Sequence, residues 1–303
     1  MEQYQDSYRP LRSVGGQGRR QAKEIRTDMD SKPKNLLKEL IENKALIKSL
    51  AKNDFKVKFA GSYLGTVWAF VQPVVTVLIY WFVFDLAIGA RASIRGELPL
   101  PYVLWLVAGI VPWFFFSDCV SAGTSVLTEY NYLVKKVVFN IDILPVVKIF
   151  SAIFVHAFFV VFMLGLFLCY GYFPDFYVLQ VIYYSFGVLL LALGISYLTS
   201  AVSVFFPDTR QIVNIALQIG IWATPIMWAL QDMEEKIPPA AMTVIRLNPL
   251  FYIVQGYREA LIDKAWFFEH PGMTIYFWCF TAAVCILGVT VFRRLKVHFA
   301  DVL

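Results

Sequence analysis

Charge is what this sequence has least of. Of its 303 residues only 16% are Asp, Glu, Lys or Arg, against roughly a quarter in soluble domains. In contrast 58% are hydrophobic and 17% aromatic, a balance that excludes an ordinary soluble domain. Cysteine and histidine are scarce too. Cys119, Cys169, Cys279 and Cys285 sit in apolar runs, where they are expected to serve as small core residues. No CxxC pair occurs and His156, His270 and His298 are scattered, so no metal site is expected. His156, inside an apolar run, reads as an interhelical hydrogen-bonding group. The chain also lacks GxxxxGK[ST], HExxH and GxSxG, which removes the sequence basis for phosphate-loop ATP hydrolysis, zinc peptidase and serine hydrolase chemistry. Residues 1–34 are polar and have no apolar core. They are neither a secretory signal nor a span, and their composition predicts a disordered cytoplasmic tail.

What the chain does contain is long apolar segments. Six are long enough to cross a hydrocarbon core of about 30 Å, near residues 66–88, 102–126, 149–172, 178–206, 212–230 and 274–292. Fifteen Lys and Arg residues flank these spans on one side and six on the other, which places both termini in the cytoplasm. The expected fold is an all-α integral membrane protein of the cell membrane. It comprises six transmembrane helices, an amphipathic helix before the first (35–59), a short cytoplasmic helix within 127–145, and short re-entrant or interfacial helices in the external stretch 231–272.

The fifth span carries the most information. Gln211, Asn214, Gln218, Trp222 and Pro225 fall within an arc roughly 80° wide. Three amides on one face are costly against hydrocarbon, so this face should turn toward other helices or water. Along the first span Trp68, Gln72, Thr76 and Tyr80 recur every fourth residue and cover about 120°. Rings combined with amides and hydroxyls suit sugars; interfacial anchoring and interhelical hydrogen bonds are the alternative. Ser and Thr on the second span and Gly194, Ser196, Thr199, Ser200 and Ser203 on the fourth read as close-packing positions. Asp118, an acid within an apolar run, needs a partner that the sequence does not name. Asp208 is placed to cap the fifth span, with Arg210 at its inner mouth.

In their order, DFKVKFAGSYLGTVWAFVQPV, NYLVKKVVFNIDILP, FPDTRQI, ATPIMW and LNPLFYIVQGYREALI resemble the membrane subunits of ABC-2-type exporters of lipid-linked surface polymers. LNPLFYIVQGYREALI and FRRLKVHFADVL are most similar to teichoic-acid translocation permeases, with O-antigen and capsular polysaccharide permeases as the close alternative. The resemblance implies a homodimer bound by two copies of a separate ATPase, which carries the ATP and Mg. No cofactor on this chain and no nucleic-acid partner is expected; membrane lipids and an undecaprenyl-diphosphate-linked polymer are. It also implies an interface helix at 35–59 and a coupling helix, with Asp54, Lys56, Glu129, Tyr130, Lys135 and Lys136 contacting the ATPase. Trp68, Gln72, Thr76, Tyr80, Gln211, Asn214, Gln218 and Trp222 would line the path, Asp208 and Arg210 the cytoplasmic entrance, and Arg246, Asn248, Arg258 and Glu259 an external gate. Export of a small drug would suit a more apolar path, and a membrane enzyme for lipid-linked sugars would need clustered acids or a metal site.

Overall fold

A computed structural model describes residues 36–58, 61, 63–87, 89, 91–92, 100–135, 140–230 and 238–303. The expected tail at 1–34 and Lys136 lie outside these residues. The chain divides into two units, 1–44 and 45–303. In the first, helix α1 (Leu36–Glu42) carries an exposed Lys38–Glu42 pair at 4.0 Å, the kind of surface contact that contributes little.

Helix α2 (Lys44–Val57) buries Ile47, Ala51 and Asp54 on one face, the amphipathic pattern expected of 35–59. A 3-10 turn at Gly65–Val67 leads into α3 (Trp68–Trp81), which continues as a π-helical turn over Phe82–Ala87. Two residue pairs, β1 (Arg91–Ala92) and β2 (Leu100–Pro101), form a minimal antiparallel ladder. Then follow α4 (Tyr102–Glu129), α5 (Asn131–Val134), α6 (Leu144–Cys169), α7 (Gln180–Phe205) and α8 (Thr209–Ala223). The chain ends with α9 (Pro239–Arg246), α10 (Pro249–Arg258), α11 (Pro271–Leu295) and α12 (Phe299–Val302).

Among the described residues, five helical segments are long and apolar enough to cross a membrane: Gly65–Ala87, Tyr102–Glu129, Ile141–Cys169, Phe176–Phe205 and Pro271–His298. They correspond to five of the six expected spans. The stretch expected at 212–230 differs. Its helix α8 has 15 residues, about 22 Å of rise, and the chain turns at Thr224 rather than continuing through Trp228. The third span starts earlier than expected. Pro145 opens α6 within its first turn, where a missing N–H costs nothing, instead of closing the preceding helix. Of the expected coupling helix, the described residues show the four residues of α5 and a 3-10 turn at Ile141–Ile143.

Helix α4 is the hub. It packs against α3, α6, α7, α8 and α10, and its span is the most enclosed, whereas that of α3 is the least. A helix apolar all round is what such a central position demands. In hydrocarbon, close approach of small residues holds helices together better than apolarity does. Gly123 lies against Ser196, whose hydroxyl donates to the Cys119 carbonyl at 3.3 Å. Thr124 and Thr199 share a 2.8 Å hydrogen bond, and Ser203 donates to the Thr124 carbonyl at 2.7 Å. Gly123 and Thr124 of the second span and Ser196, Thr199 and Ser203 of the fourth therefore form a packing seam between α4 and α7, whereas Gly194 faces α11. His156 bonds Ser185 at 3.0 Å and stacks on Phe115, the interhelical role expected of it. The cysteines are less uniform than expected, since Cys119 is buried but Cys169 and Cys279 face outward.

Candidate functional site

Helix α8 is amphipathic in an unusual sense. Val213, Leu217 and Ile221 pack against the core, and Gly220 sits over the Trp113 ring. The opposite surface is uncovered and divides into a polar strip of Gln211, Asn214, Gln218 and Trp222 beside an apolar strip of Ile212, Ile215 and Ile219. Pro225 leaves the stripe, because it is buried in the turn after the helix. Asn214 accepts a long hydrogen bond from Ser121 of α4 at 3.4 Å. Of the second predicted wall, Trp68 and Gln72 are exposed, Thr76 donates to the Gln72 carbonyl at 3.0 Å, and Tyr80 packs partly into the core. Both helices rest on α4, but among the described residues no hydrogen bond or ring contact joins the two stripes.

At the start of α8, Asp208 does not cap with its carboxylate. Its backbone carbonyl accepts from Ile212 N–H at 3.0 Å while the side chain stays exposed. Arg210 is half-buried in the first turn. Asp118 finds its partner in Lys58, just beyond α2, at 2.6 Å. That pairing bridges 60 residues of sequence.

Three of the residues expected to contact an ATPase come together around a fourth that the sequence did not single out. Lys148, one turn into α6, places its ammonium 2.7 Å from Asp54 of α2 and 2.5 Å from Glu129 at the end of α4. Tyr130 donates to the same Asp54 oxygen at 2.8 Å, and Ser125 donates to Glu129 at 2.8 Å. Burial, together with its hydrogen bond to Asp54, pushes the Tyr130 phenol well above its ordinary range, so it remains a donor. Lys56 and Lys135 are exposed and stand outside this cluster. Nearby in the chain Asp142 pairs with Lys296 at 2.7 Å and accepts, through its carbonyl, the Tyr197 hydroxyl at 2.6 Å. Those bonds tie the segment after α11 to the start of α6.

A second cluster anchors the far end of α8. Arg258 of α10 donates from Nη1 to the Pro225 carbonyl at 2.7 Å and from Nη2 to the Ile226 carbonyl at 2.8 Å. Its guanidinium lies 3.3 Å from the centre of the Trp105 ring, a cation–π stack. Asn248 caps α10 through Leu250 N–H and donates to Thr224 Oγ1 at 2.8 Å, and the Tyr102 hydroxyl donates to the Met227 carbonyl at 2.5 Å. Two of the four expected gate residues, Asn248 and Arg258, thus grip one turn of chain. Arg246 stays exposed, and Glu259 is nearly buried in a π-helical turn over Glu259–Asp263.

Burial raises the Glu259 carboxyl above its ordinary range, with His270 at 3.6 Å and the Gln255 amide at 3.3 Å offsetting part of the shift. A carboxyl raised on folding binds its proton more tightly in the native chain than in the unfolded one. Its contribution to stability is therefore lost as pH rises from the ordinary carboxylate value, about 4.3, through the raised value. Glu259→Gln is accordingly expected to raise Tm at pH 7 and to lose that advantage as the pH is lowered to about 4. Thermal melts of both chains in one detergent across that range check the sign.

The whole arrangement has two clamps, one at each end of a helical body, and between them an uncovered amide-bearing face. A profile of the family described as ABC-2 type transporter matches residues 45–262. The chain is similar to the O-antigen export system permease protein RfbA of Myxococcus xanthus, 27% identical over 235 residues that cover 78% of this chain and 85% of that one. It is similar to the protein of that name from Klebsiella pneumoniae, 24% identical over 261 residues, 85% of this chain and 95% of that one. The polysialic acid transport protein KpsM of Escherichia coli is 22% identical over 257 residues, 82% and 93% of the two chains.

Proposed function

The chain belongs to the ABC-2 type transporter family, and we propose that it is the membrane-spanning permease subunit of an ATP-driven exporter of a lipid-linked cell-surface polysaccharide. The polymer is read as one of the O-antigen or capsule class rather than the teichoic acid expected from the sequence motifs. Relatives named for O-antigen export and polysialic acid transport align with most of this chain and support that preference. The observation that carries the transport reading is the face of α8 on which Gln211, Asn214, Gln218 and Trp222 stay exposed among the described residues. Such a face is unfavourable against lipid, and a second copy of the chain with a polar path between the two relieves it.

In this reading the end carrying Asp54, Glu129 and Lys148 is cytoplasmic, in keeping with the excess of Lys and Arg on that side. A separate ATPase, binding ATP and Mg, engages the surface helix α2 and the α4–α5 turn there. Asp208 and Arg210 lie at the cytoplasmic entrance, and α9 and α10 close the outer end. Purified with its ATPase in proteoliposomes, the chain is expected to raise ATP hydrolysis severalfold when lipid-linked polysaccharide is supplied. A hydrolysis rate indifferent to the polymer sinks the transport reading. Supplying the gene to strains that lack either an O-antigen permease or a teichoic-acid permease separates the two polymers by which surface polymer returns.

A further inference from the structure

The Lys148 cluster is built unlike an ordinary surface ion pair, and lining a polymer path does not explain it. One ammonium meets two carboxylates, which leaves one negative charge in excess. The three groups are unequally wet. The side chains of Lys148 and Asp54 are each 9% exposed, whereas that of Glu129 is 47% exposed. Lys148 and Asp54 neutralise one another, so neither can be parted from the other without leaving an uncompensated buried ion. Glu129 is the surplus carboxylate, and water can take over its solvation if it withdraws.

This inequality sets an order among the helices. The bond between α2 and α6 is dry and charge-balanced, whereas α2 is held to α4 by a neutral hydrogen bond from Tyr130, at the end of that helix, to Asp54 at 2.8 Å, and by the exposed Lys58–Asp118 pair. Phe55 of α2 also packs on Phe154 of α6, with ring centres 5.8 Å apart. The bond between α6 and the end of α4 is wet and surplus to neutrality. The contacts to α4 are neutral at Tyr130 and partly wet at Lys58–Asp118 and Glu129, so a displacement imposed on α2 loosens them at less cost than it parts the buried Asp54–Lys148 pair.

We propose that Lys148 is a positioning residue that locks the surface helix α2 to α6, so that the two move as one body in the transport cycle while Glu129 is the contact that lets go. The role in transport rests on the exporter reading above; the lock itself does not. It is tested with the neutral double variant Asp54→Asn/Lys148→Met, which leaves no buried ion and keeps an acceptor for Tyr130, and with Glu129→Gln and Lys148→Arg as single changes.

Hydrogen exchange on the full chain in lipid nanodiscs reads the lock without any partner. In the unmodified chain the amides of residues 48–57 are expected to open together with the first two turns of α6. In the double variant those of α2 are expected to exchange at least about tenfold faster while α6 stays protected. With the ATPase bound, polymer exported per ATP, measured on the complex that assembles, should fall at least about fivefold in the double variant. In Glu129→Gln the amides of α2 should stay as protected as in the unmodified chain, and Lys148→Arg should recover at least half of the lost transport. The proposal is overturned if α2 in the double variant stays as protected as in the unmodified chain, or if Glu129→Gln reproduces the double variant. If the unmodified complex hydrolyses ATP without moving polymer, the exporter reading fails and the exchange result still decides the lock.

Discussion

Arg258→Ala is expected to cost about 3 to 5 kcal/mol of stability, because it strips both donors from the Pro225 and Ile226 carbonyls. These carbonyls belong to a buried turn, where an unpaired acceptor forfeits a hydrogen bond that water does not replace. The loss of the stack on Trp105 adds to the penalty. Arg258→Lys is expected to fall between the two, since an ammonium is a point donor and does not span two carbonyls with the fixed fork of a guanidinium. A fall in Tm on the order of 10 °C for the Ala variant, and a smaller one for Lys, is the expected result in detergent. An Ala variant within about 1 kcal/mol of the unmodified chain would remove the latch from the account of α8. If the latch holds, the same variants should free the end of α8, and exchange of the Thr224 and Ile226 amides, which bond within the turn, should rise well before that of α4.

This latch shows where sequence reading reached and where it stopped. The polar stripe of α8 was legible because amides at 211, 214 and 218 keep helical period, and the structure leaves those residues uncovered on one face. The end of the helix was not legible. Apolar residues continue through Trp228, and what bends the chain at Thr224 is a set of donors from Arg258, Asn248 and Tyr102, between 24 and 125 residues away. Distance in sequence hid the other partners in the same way. Asp118 announced that it needed a cation, but Lys58 is 60 residues away; Asp54 and Lys148 are 94 apart. Lys148 does leave a trace in the sequence. It stands just ahead of the apolar run that begins at Ile149, and Pro145, which fits the end of a preceding helix, in fact begins the next. With the helix started at Leu144, Lys148 becomes a lone cation within a span, the kind of residue whose cost demands partners. The tight crossings were half visible. Gly194 is among the small residues expected to pack closely, whereas the sequence does not single out Gly288, which it meets.

Gly288→Leu is expected to be the most damaging single change in the body of the protein. A Cβ at Gly288 lies 2.3 Å from the Gly194 carbonyl oxygen and 3.3 Å from Leu198 N, and one at Gly194 lies 2.9 Å from Cys285 N. These are backbone atoms, so no rotamer change relieves the clash. Overpacking a core commonly costs about 1 to 3 kcal/mol; here α7 and α11 must separate, and a cost above about 3 kcal/mol is expected. Helix α11 makes its most extensive contact with α7, so parting the two at this crossing strikes its main attachment. Its remaining attachments include the Phe277 and Phe292 side chains and the Cys285 thiol, which donates to the Leu190 carbonyl at 3.3 Å. Prising the helices apart at the crossing should loosen these and weaken the Lys296–Asp142 bond just beyond the helix. Gly165→Ala is the matched control, since nothing lies within 4 Å of a Cβ there and a helix interior favours Ala over Gly by about 1 kcal/mol. The Leu variant is expected to be lost on detergent extraction or to melt far below the unmodified chain, while the Ala control melts at or slightly above it. Equal melting of the two variants would mean that α7 and α11 do not cross at these glycines.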